Sequence, residues 1–320
     1  MNYRFTYSLY QRQFRTALAT SHSKWSVREG IIIRLQAANN DIYWGEIAPI
    51  AWFDSETISA AQDFCQSLAG WWTENIEIPD HLPACQFAWS AALKYGQNWT
   101  IDAEMNGGLN RLIDPRWSVL LPAGQQVFTS WQTFWEQGHR TFKWKIGVNE
   151  TSPELEILSE LVAMLPIGAK LRLDANGGLS YEQASIWLEQ CDRLSCIEFL
   201  EQPIFDLNAM LRLADRYRTP LALDESVSNL ARLKSCYQQG WRGIFVIKPA
   251  IAGHLDQLAD FIHHHQLDVV CSTSIESLLG QSAIVQWAQT QGFDHRALGI
   301  GVQHWFNDDF DPTKCAEFSH

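Results

Sequence analysis

The sequence predicts an α/β fold: a TIM-type parallel barrel of eight strands and seven helices, (β/α)7β, preceded by a smaller α+β domain. Three observations carry this. Apolar runs end in an acid at Leu171-Arg172-Leu173-Asp174, at Phe199-Leu200-Glu201 and at Leu221-Ala222-Leu223-Asp224. The acids are spaced by 27 and 23 residues, the length of one strand plus one crossover helix. From residue 118 to residue 300 strand-length and helix-length patterns alternate without a break, whereas residues 1–105 open with alternating β-rich runs.

In chain order, residues 3–9, 31–36 and 42–47 read as an opening antiparallel sheet, the last two separated by Ala37-Ala38-Asn39-Asn40-Asp41. The polar stretch Thr16 to Trp25 has no periodicity and reads as a loop, of a length that often serves as a lid over a site. Helices are predicted from Ser55 to about Ala69 and from Leu82 to Tyr95. After Gly107-Gly108, strands are predicted at 118–121, 141–147, 171–174, 197–200, 221–224, 243–247, 269–271 and 297–300. Helices are predicted at 126–138, 152–164, 180–192, 206–217, 227–238, 253–265 and 276–290. Runs such as Gly243-Ile244-Phe245-Val246-Ile247 are apolar on both faces, as strands covered by helices must be. The division expected is an α+β domain over residues 1–105 and a barrel over 106–301, with the tail, 302–320, packing back on the first domain.

Composition narrows the function. A chain of 320 residues, 46% hydrophobic and 19% charged, is ordinary globular material. Its net charge of −12 argues against nucleic acid or an anionic membrane as partner, and an anionic substrate would need a local cation to receive it. The expected partner is a small carboxylate. Seven scattered cysteines, none paired as C-x-x-C, predict reduced thiols and a cytoplasmic setting. Met1 to Tyr10 lacks the apolar core of a signal peptide, and no apolar run reaches the ~20 residues of a membrane span. Neither G-x-G-x-x-G after an early strand nor G-x-x-x-x-G-K-[ST] occurs, so an open nucleotide-binding sheet is disfavoured.

The chemistry lies at the strand ends. Asp174, Glu201 and Asp224 on successive strands form a hard-oxygen site suited to Mg²⁺, with Mn²⁺ able to substitute; the cluster has no thiolate or imidazole to favour zinc. The bland alternative is that each acid caps the helix that follows it. Lys143 and Lys145, two apart on one strand, share a face, which would be the barrel interior. Lys248 ends the strand across the barrel from them. Amines on opposite sides of a metal-bound carboxylate are placed to move a proton at the adjacent carbon.

The spacing of Lys143-Trp144-Lys145, Asp174-Ala175-Asn176, Glu201-Gln202-Pro203, Asp224-Glu225-Ser226 and Lys248-Pro249 resembles the enolase superfamily, in its muconate-lactonizing branch. Arg28-Glu29-Gly30, Trp44-Gly45-Glu46-Ile47-Ala48-Pro49 and Asp54-Ser55-Glu56-Thr57 resemble that family's capping domain. Within the branch, Cys271-Ser272-Thr273-Ser274-Ile275-Glu276-Ser277 is similar to the segment that holds a succinyl side chain in the dehydratases of menaquinone and phylloquinone biosynthesis. The resemblance implies Asp174, Glu201 and Asp224 as Mg²⁺ ligands, Lys145 as the base, Lys248 as stabiliser of the enediolate, and Lys143 as a group that tunes Lys145. It implies Ser272, Thr273, Ser274, Asn176 and Glu225 as substrate contacts. Phe142 and Trp144 are bulkier than that pattern leads one to expect.

The same lysines would serve an N-acylamino acid racemase. A dipeptide epimerase would carry an Asp-x-Asp pair on the last strand, where Ala297-Leu298-Gly299-Ile300-Gly301-Val302 has none. A mandelate-racemase-type histidine base is not matched, because His263-His264-His265 falls on a helix and reads as a solvated face. His22, in the loop, could reach substrate. An inactive barrel used as a binding module would be expected to have lost one of the six charged residues, and all are present.

Overall fold

The structure, a computed structural model, describes residues 2–19, 24–68, 70–73, 76–100, 114–302, 305, 306, 308 and 310–315. The N-terminal part holds β1 (Asn2–Ala19), β2 (Lys24–Ala37), β3 (Ile42–Ile47), α1 (Ile58–Ser67), β4 (Gly70–Thr73) and α2 (Pro83–Tyr95). The strands form an antiparallel sheet in the order β3-β2-β1-β4. One face, with Tyr3, Phe5, Ile31, Ile33 and Leu35, packs against α1 and α2. β3 approaches α2 closely at Gly45, where a Cβ would stand 2.4 Å from the Ala88 carbonyl oxygen. The buried carboxylate of Glu56 accepts from the backbone N–H of Ala84 and Cys85, closing the start of α2.

The expected loop from Thr16 to Trp25 is a correction. β1 runs through Ala19 and β2 begins at Lys24, with Leu18 paired to Trp25 and Ala19 to Lys24. Strand pairing here is between backbones of an exposed ribbon, so no alternation of polar and apolar side chains announces it. Residues 20–23, with His22, lie outside the described residues, and so does the domain boundary expected at 105/106. β4 was not expected.

The second part alternates strictly. Its elements are β5 (Trp117–Leu121), α3 (Val127–Glu136), β6 (Thr141–Lys145), α4 (Thr151–Met164), β7 (Lys170–Asp174), α5 (Tyr181–Cys191), β8 (Ile197–Glu201), α6 (Leu207–Arg216) and β9 (Leu221–Leu223). Then come α7 (Leu230–Gln238), β10 (Ile244–Ile247), the short α8 (Pro249–Ala252), α9 (Leu255–His265), β11 (Val269–Cys271), α10 (Leu278–Gln291) and β12 (Leu298–Gly301). The eight strands are parallel and neighbour one another in the order β11-β10-β9-β8-β7-β6-β5-β12. A parallel bridge between Ser272 and Gly299 joins the two ends and closes the barrel. A single large core fills the space between strands and helices. Phe199, Ala222, Ile244, Val246 and Val270 form a small separate cluster, and Val246 and Val270 also border the cavity at the barrel mouth.

Phe142 and Trp144 fit because they point outward. Both are fully buried in the core, and Trp144 meets Trp187 of α5 edge-on with ring centroids 6.4 Å apart. The described tail lies against β1: Phe306 pairs with Phe14, and Arg12 donates to Asp308 at 2.9 and 3.0 Å. Among the described residues no helix is long and apolar enough to cross a membrane.

Buried Glu154 of α4 folds back on the loop that leaves β6, accepting from the backbone N–H of Gly147, Val148 and Asn149 at 2.7–3.1 Å. These charge-assisted bonds have no alternative partner once the carboxylate is removed. Glu154→Ala should therefore lower unfolding free energy by about 2–4 kcal/mol, read as a shifted denaturant midpoint with an unchanged slope.

Candidate active site

Strand register assembles the site. Lys143 pairs with Arg172 and Lys145 with Asp174 across β6 and β7, and Asp174 pairs with Glu201 across β7 and β8. Lys145, Asp174 and Glu201 therefore form one tier at the carboxyl end of the barrel, and Lys143 and Arg172 form the tier beneath. Asp224 follows the last residue of β9 and Lys248 the last residue of β10. Four steps in an eight-strand ring separate β6 from β10, so Lys145 and Lys248 stand on opposite walls. All border one cavity of about 430 Å³ at the barrel mouth. The capping part contributes Trp25, Ile50, Trp52 and Phe53 to its upper wall.

The acids do not serve as helix caps. α5 is capped by the Ser180–Gln183 capping box, α6 by Asp206 and α7 by Asn229. Asp174, Glu201 and Asp224 are instead nearly inaccessible, at 2%, 1% and 4% exposure, with lysines as their principal partners. Lys143 sits between two of them, 2.9 Å from Asp174 and 2.8 Å from Glu201, and Lys248 is paired with Asp224. Burial works against the Lys143 ammonium, but Asp174, Glu201 and Asp224 outweigh it and hold its pKa well above the usual lysine value. Lys143 is thus a fixed positive charge. Burial would raise Asp174, and Lys143 and Lys145 bring it below the usual carboxylate range. For Glu201 burial wins, helped by the charges of Asp174 and Asp224, and its pKa lies well above the ordinary value. The three acids are confined out of water, and their all-oxygen character matches a hard divalent cation. Among the described residues no three acids, histidines or cysteines are grouped closely enough to hold a metal ion; amines stand between Asp174, Glu201 and Asp224.

Lys145 makes no hydrogen bond to any described residue and borders the cavity. The ammonium of Lys248 lies 4.0 Å from the centre of the Phe53 ring. Asn176, at φ +44°, takes its backbone turn from Asp174 and donates its amide to Glu225 at 2.9 Å. Glu225 is pushed up to about 7 by burial and by Asp224 and Asp174, and its second oxygen is buried with no hydrogen-bond partner among the described residues.

Ser272, Thr273 and Ser274 border the cavity, but their donors are committed elsewhere. The three hydroxyls donate to the Gly299 carbonyl and to the two oxygens of buried Glu276, and the backbone N–H of Ser274 also goes to Glu276. The backbone N–H groups of Ser272 and Thr273 donate to Ile247 and Gly299. The segment shapes a wall, with its hydroxyls turned toward Gly299 and Glu276 among the described residues.

The residue that sequence reasoning missed is Arg172. It borders the cavity at 1% exposure, with Nε on Glu198 at 2.7 Å and one terminal nitrogen buried with no hydrogen-bond partner among the described residues. The signal was present: Arg172 shares the inward face of its strand with Asp174. Glu198 reaches it because the β7–β8 register shifts between Leu171 and Arg172, a bulge that turns one side chain inward. The three consecutive histidines close the last turn of α9, where His263 bonds Gln291, in keeping with a solvated face.

Comparison with known proteins places this geometry. The family model described as enolase C-terminal domain-like matches residues 127–314, and the MenC N-terminal domain matches residues 4–95. The o-succinylbenzoate synthase of Thermosynechococcus vestitus is 37% identical over 312 residues, 94% of this chain and 93% of that protein. The chain belongs to the o-succinylbenzoate synthase family of the enolase superfamily. The crystal structure of the o-succinylbenzoate synthase from Thermosynechococcus elongatus, complexed with Mg in its active site, superposes with a TM-score of 0.84 at 35% identity, covering 94% of each chain. An N-succinyl Arg/Lys racemase from Bacillus cereus shares the fold, at a TM-score of 0.76 and 18% identity, covering 97% of this chain and 89% of that one. The strict barrel and the antiparallel sheet before it are the fold of this family, and its members are lyases of the dehydratase type.

Proposed function

We propose that this protein dehydrates 2-succinyl-6-hydroxy-2,4-cyclohexadiene-1-carboxylate to 2-succinylbenzoate in menaquinone or phylloquinone biosynthesis, with residues in the following roles. Lys145, which makes no hydrogen bond to a described residue, removes the proton alpha to the ring carboxylate. The resulting ammonium then gives that proton to the departing hydroxyl on the same face; one C–H and one C–O bond break, water leaves and the ring becomes aromatic. Lys248, on the opposite wall and paired with Asp224, faces the negative charge that develops in between. Lys143 stays charged between Asp174 and Glu201 and favours the ionised form of Asp174. Asp174, Glu201 and Asp224 would hold Mg²⁺, or Mn²⁺ in its place, and the bound ion would supply positive charge to the substrate carboxylate. Asn176 and Glu225 frame the substrate beside the metal acids. Seven free thiols agree with a cytoplasmic protein.

Arg172 is the local cation that an acidic protein needs for an anionic substrate. It lies two residues, roughly 6.5 Å, deeper on β7 than Asp174, a span suited to the far carboxylate of a succinyl chain whose ring carboxylate lies at the metal acids. Arg172→Met should reduce kcat/KM by about 10²-fold through the loss of a charge-assisted hydrogen bond, with a smaller loss on a substrate whose side chain ends in an ester. Steady-state kinetics on both substrates checks this.

The observation that carries the reading is the pair of amines on opposite walls flanking three buried acids. The test is aromatisation of the cyclohexadiene substrate by purified protein with Mg²⁺, followed by absorbance. Racemisation of N-succinyl amino acids with no dehydration would overturn it.

A further inference from the structure

The upper wall of the cavity comes from three separate pieces of chain, and one buried side chain joins them. Arg28 of β2, at 2% exposure, donates Nε to the carbonyl of Ile275 at 3.1 Å, a terminal nitrogen to Pro49 at 2.9 Å and to Glu29 at 2.8 Å, and its other terminal nitrogen to Ala48. The Trp25 ring lies 5.4 Å from the guanidinium carbon. Trp25, Ile50 and Ile275 all border the cavity. No acid pairs with Arg28 among the described residues; its partners are carbonyls of the segments that shape the wall.

Ile275 is the unusual member. Its φ is +61°, a left-handed conformation that a β-branched residue rarely adopts and that is maintained only where the surroundings impose it. The surroundings do so from both sides: its N–H donates to Thr273 Oγ1 at 2.7 Å, and its carbonyl accepts from Arg28. The Thr273 hydroxyl is in turn held by Glu276. Ile275 is the left-handed residue among the cavity-lining ones that carries a large apolar side chain.

Resting on the dehydratase reading above, we infer that Ile275 is a specificity-determining residue, held against its backbone preference so that its side chain closes the wall over the substrate, and that Arg28 is the positioning residue that holds it there. The capping part thereby controls a loop that belongs to the barrel. Glycine at 275 accepts the same backbone without strain, so Ile275→Gly separates wall from fold.

The test is kinetics, product affinity and melting temperature for Ile275→Gly, Arg28→Lys and the double variant. Ile275→Gly should raise KM and the Kd for 2-succinylbenzoate by about tenfold or more, the worth of lost apolar contacts in a pocket, with kcat within about threefold and the melting temperature unchanged or higher. Arg28→Lys keeps the charge but lacks the planar fork needed to reach carbonyls on three sides, and should shift KM in the same direction. The double variant should lose less than the product of the single losses, because both act through one loop. An unchanged KM in Ile275→Gly, or a fall in melting temperature with kcat and KM degraded together, overturns the inference. Fully multiplicative losses in the double variant overturn the link to Arg28. Turnover by the unaltered enzyme tests the dehydratase reading separately, so a failure there is distinguishable from a failure at Ile275.

Discussion

Replacing Lys145 by alanine is expected to lower kcat by about 10⁴-fold or more while the protein remains folded, because in the proposed mechanism one amine serves both as base and as acid. The proton it removes and the hydroxyl it protonates leave from the same face, so no second group on that wall substitutes for it. Lys143 cannot: it stands between Asp174 and Glu201 as a charged group. Lys248 cannot either, since it faces from the opposite wall in an ion pair with Asp224. Lys145 has no described hydrogen-bond partner, so its removal leaves no buried group unsatisfied and should shift the melting temperature only slightly. Single-turnover kinetics alongside thermal melting separates the two effects. A variant retaining more than about one-hundredth of the wild-type rate would remove Lys145 from the base role.

Chelation is expected to abolish turnover, and addition of Mg²⁺ or Mn²⁺ to restore it. The argument is electrostatic. Asp174, Glu201 and Asp224 are buried together, and burial with the neighbouring charges holds Glu201 above its usual pKa even with Lys143 against it. A divalent cation relieves this repulsion, so binding should also stabilise the fold. With free metal at about 100 times its Kd the gain is about 2.7 kcal/mol, visible as a melting temperature that rises with metal concentration. Glu201→Gln should weaken both the rise and the activity. Activity indifferent to chelation, or a melting temperature indifferent to Mg²⁺, would remove the three acids from the metal role.

The sequence was most legible where one rule acted alone. All eight barrel strands and seven long helices lie close to where their periodicity puts them, because each strand is covered by helices and each helix buries one stripe. Legibility failed where backbones paired without side-chain pattern, as in the outer parts of β1 and β2, which were expected as a loop. It was also incomplete where a residue's surroundings depended on which way its neighbours' hydrogen bonds ran: Ser272, Thr273 and Ser274 read as substrate contacts in sequence, and in the structure Glu276 takes three of their hydrogens.

By itself the chain determined the barrel, the tier of acids and the opposed lysines. Strand length, helix length and period-two alternation are local, and they repeat at one carboxyl-terminal end whatever the loops do. Only the folded structure decided that Lys143 is clamped between two acids, that the hydroxyls of Ser272, Thr273 and Ser274 turn to Gly299 and Glu276, and that Arg28 reaches from one domain to the Ile275 carbonyl in another. Those outcomes depend on competition among donors and acceptors brought together from distant segments, and such competition is settled by distances that no spacing along the chain records.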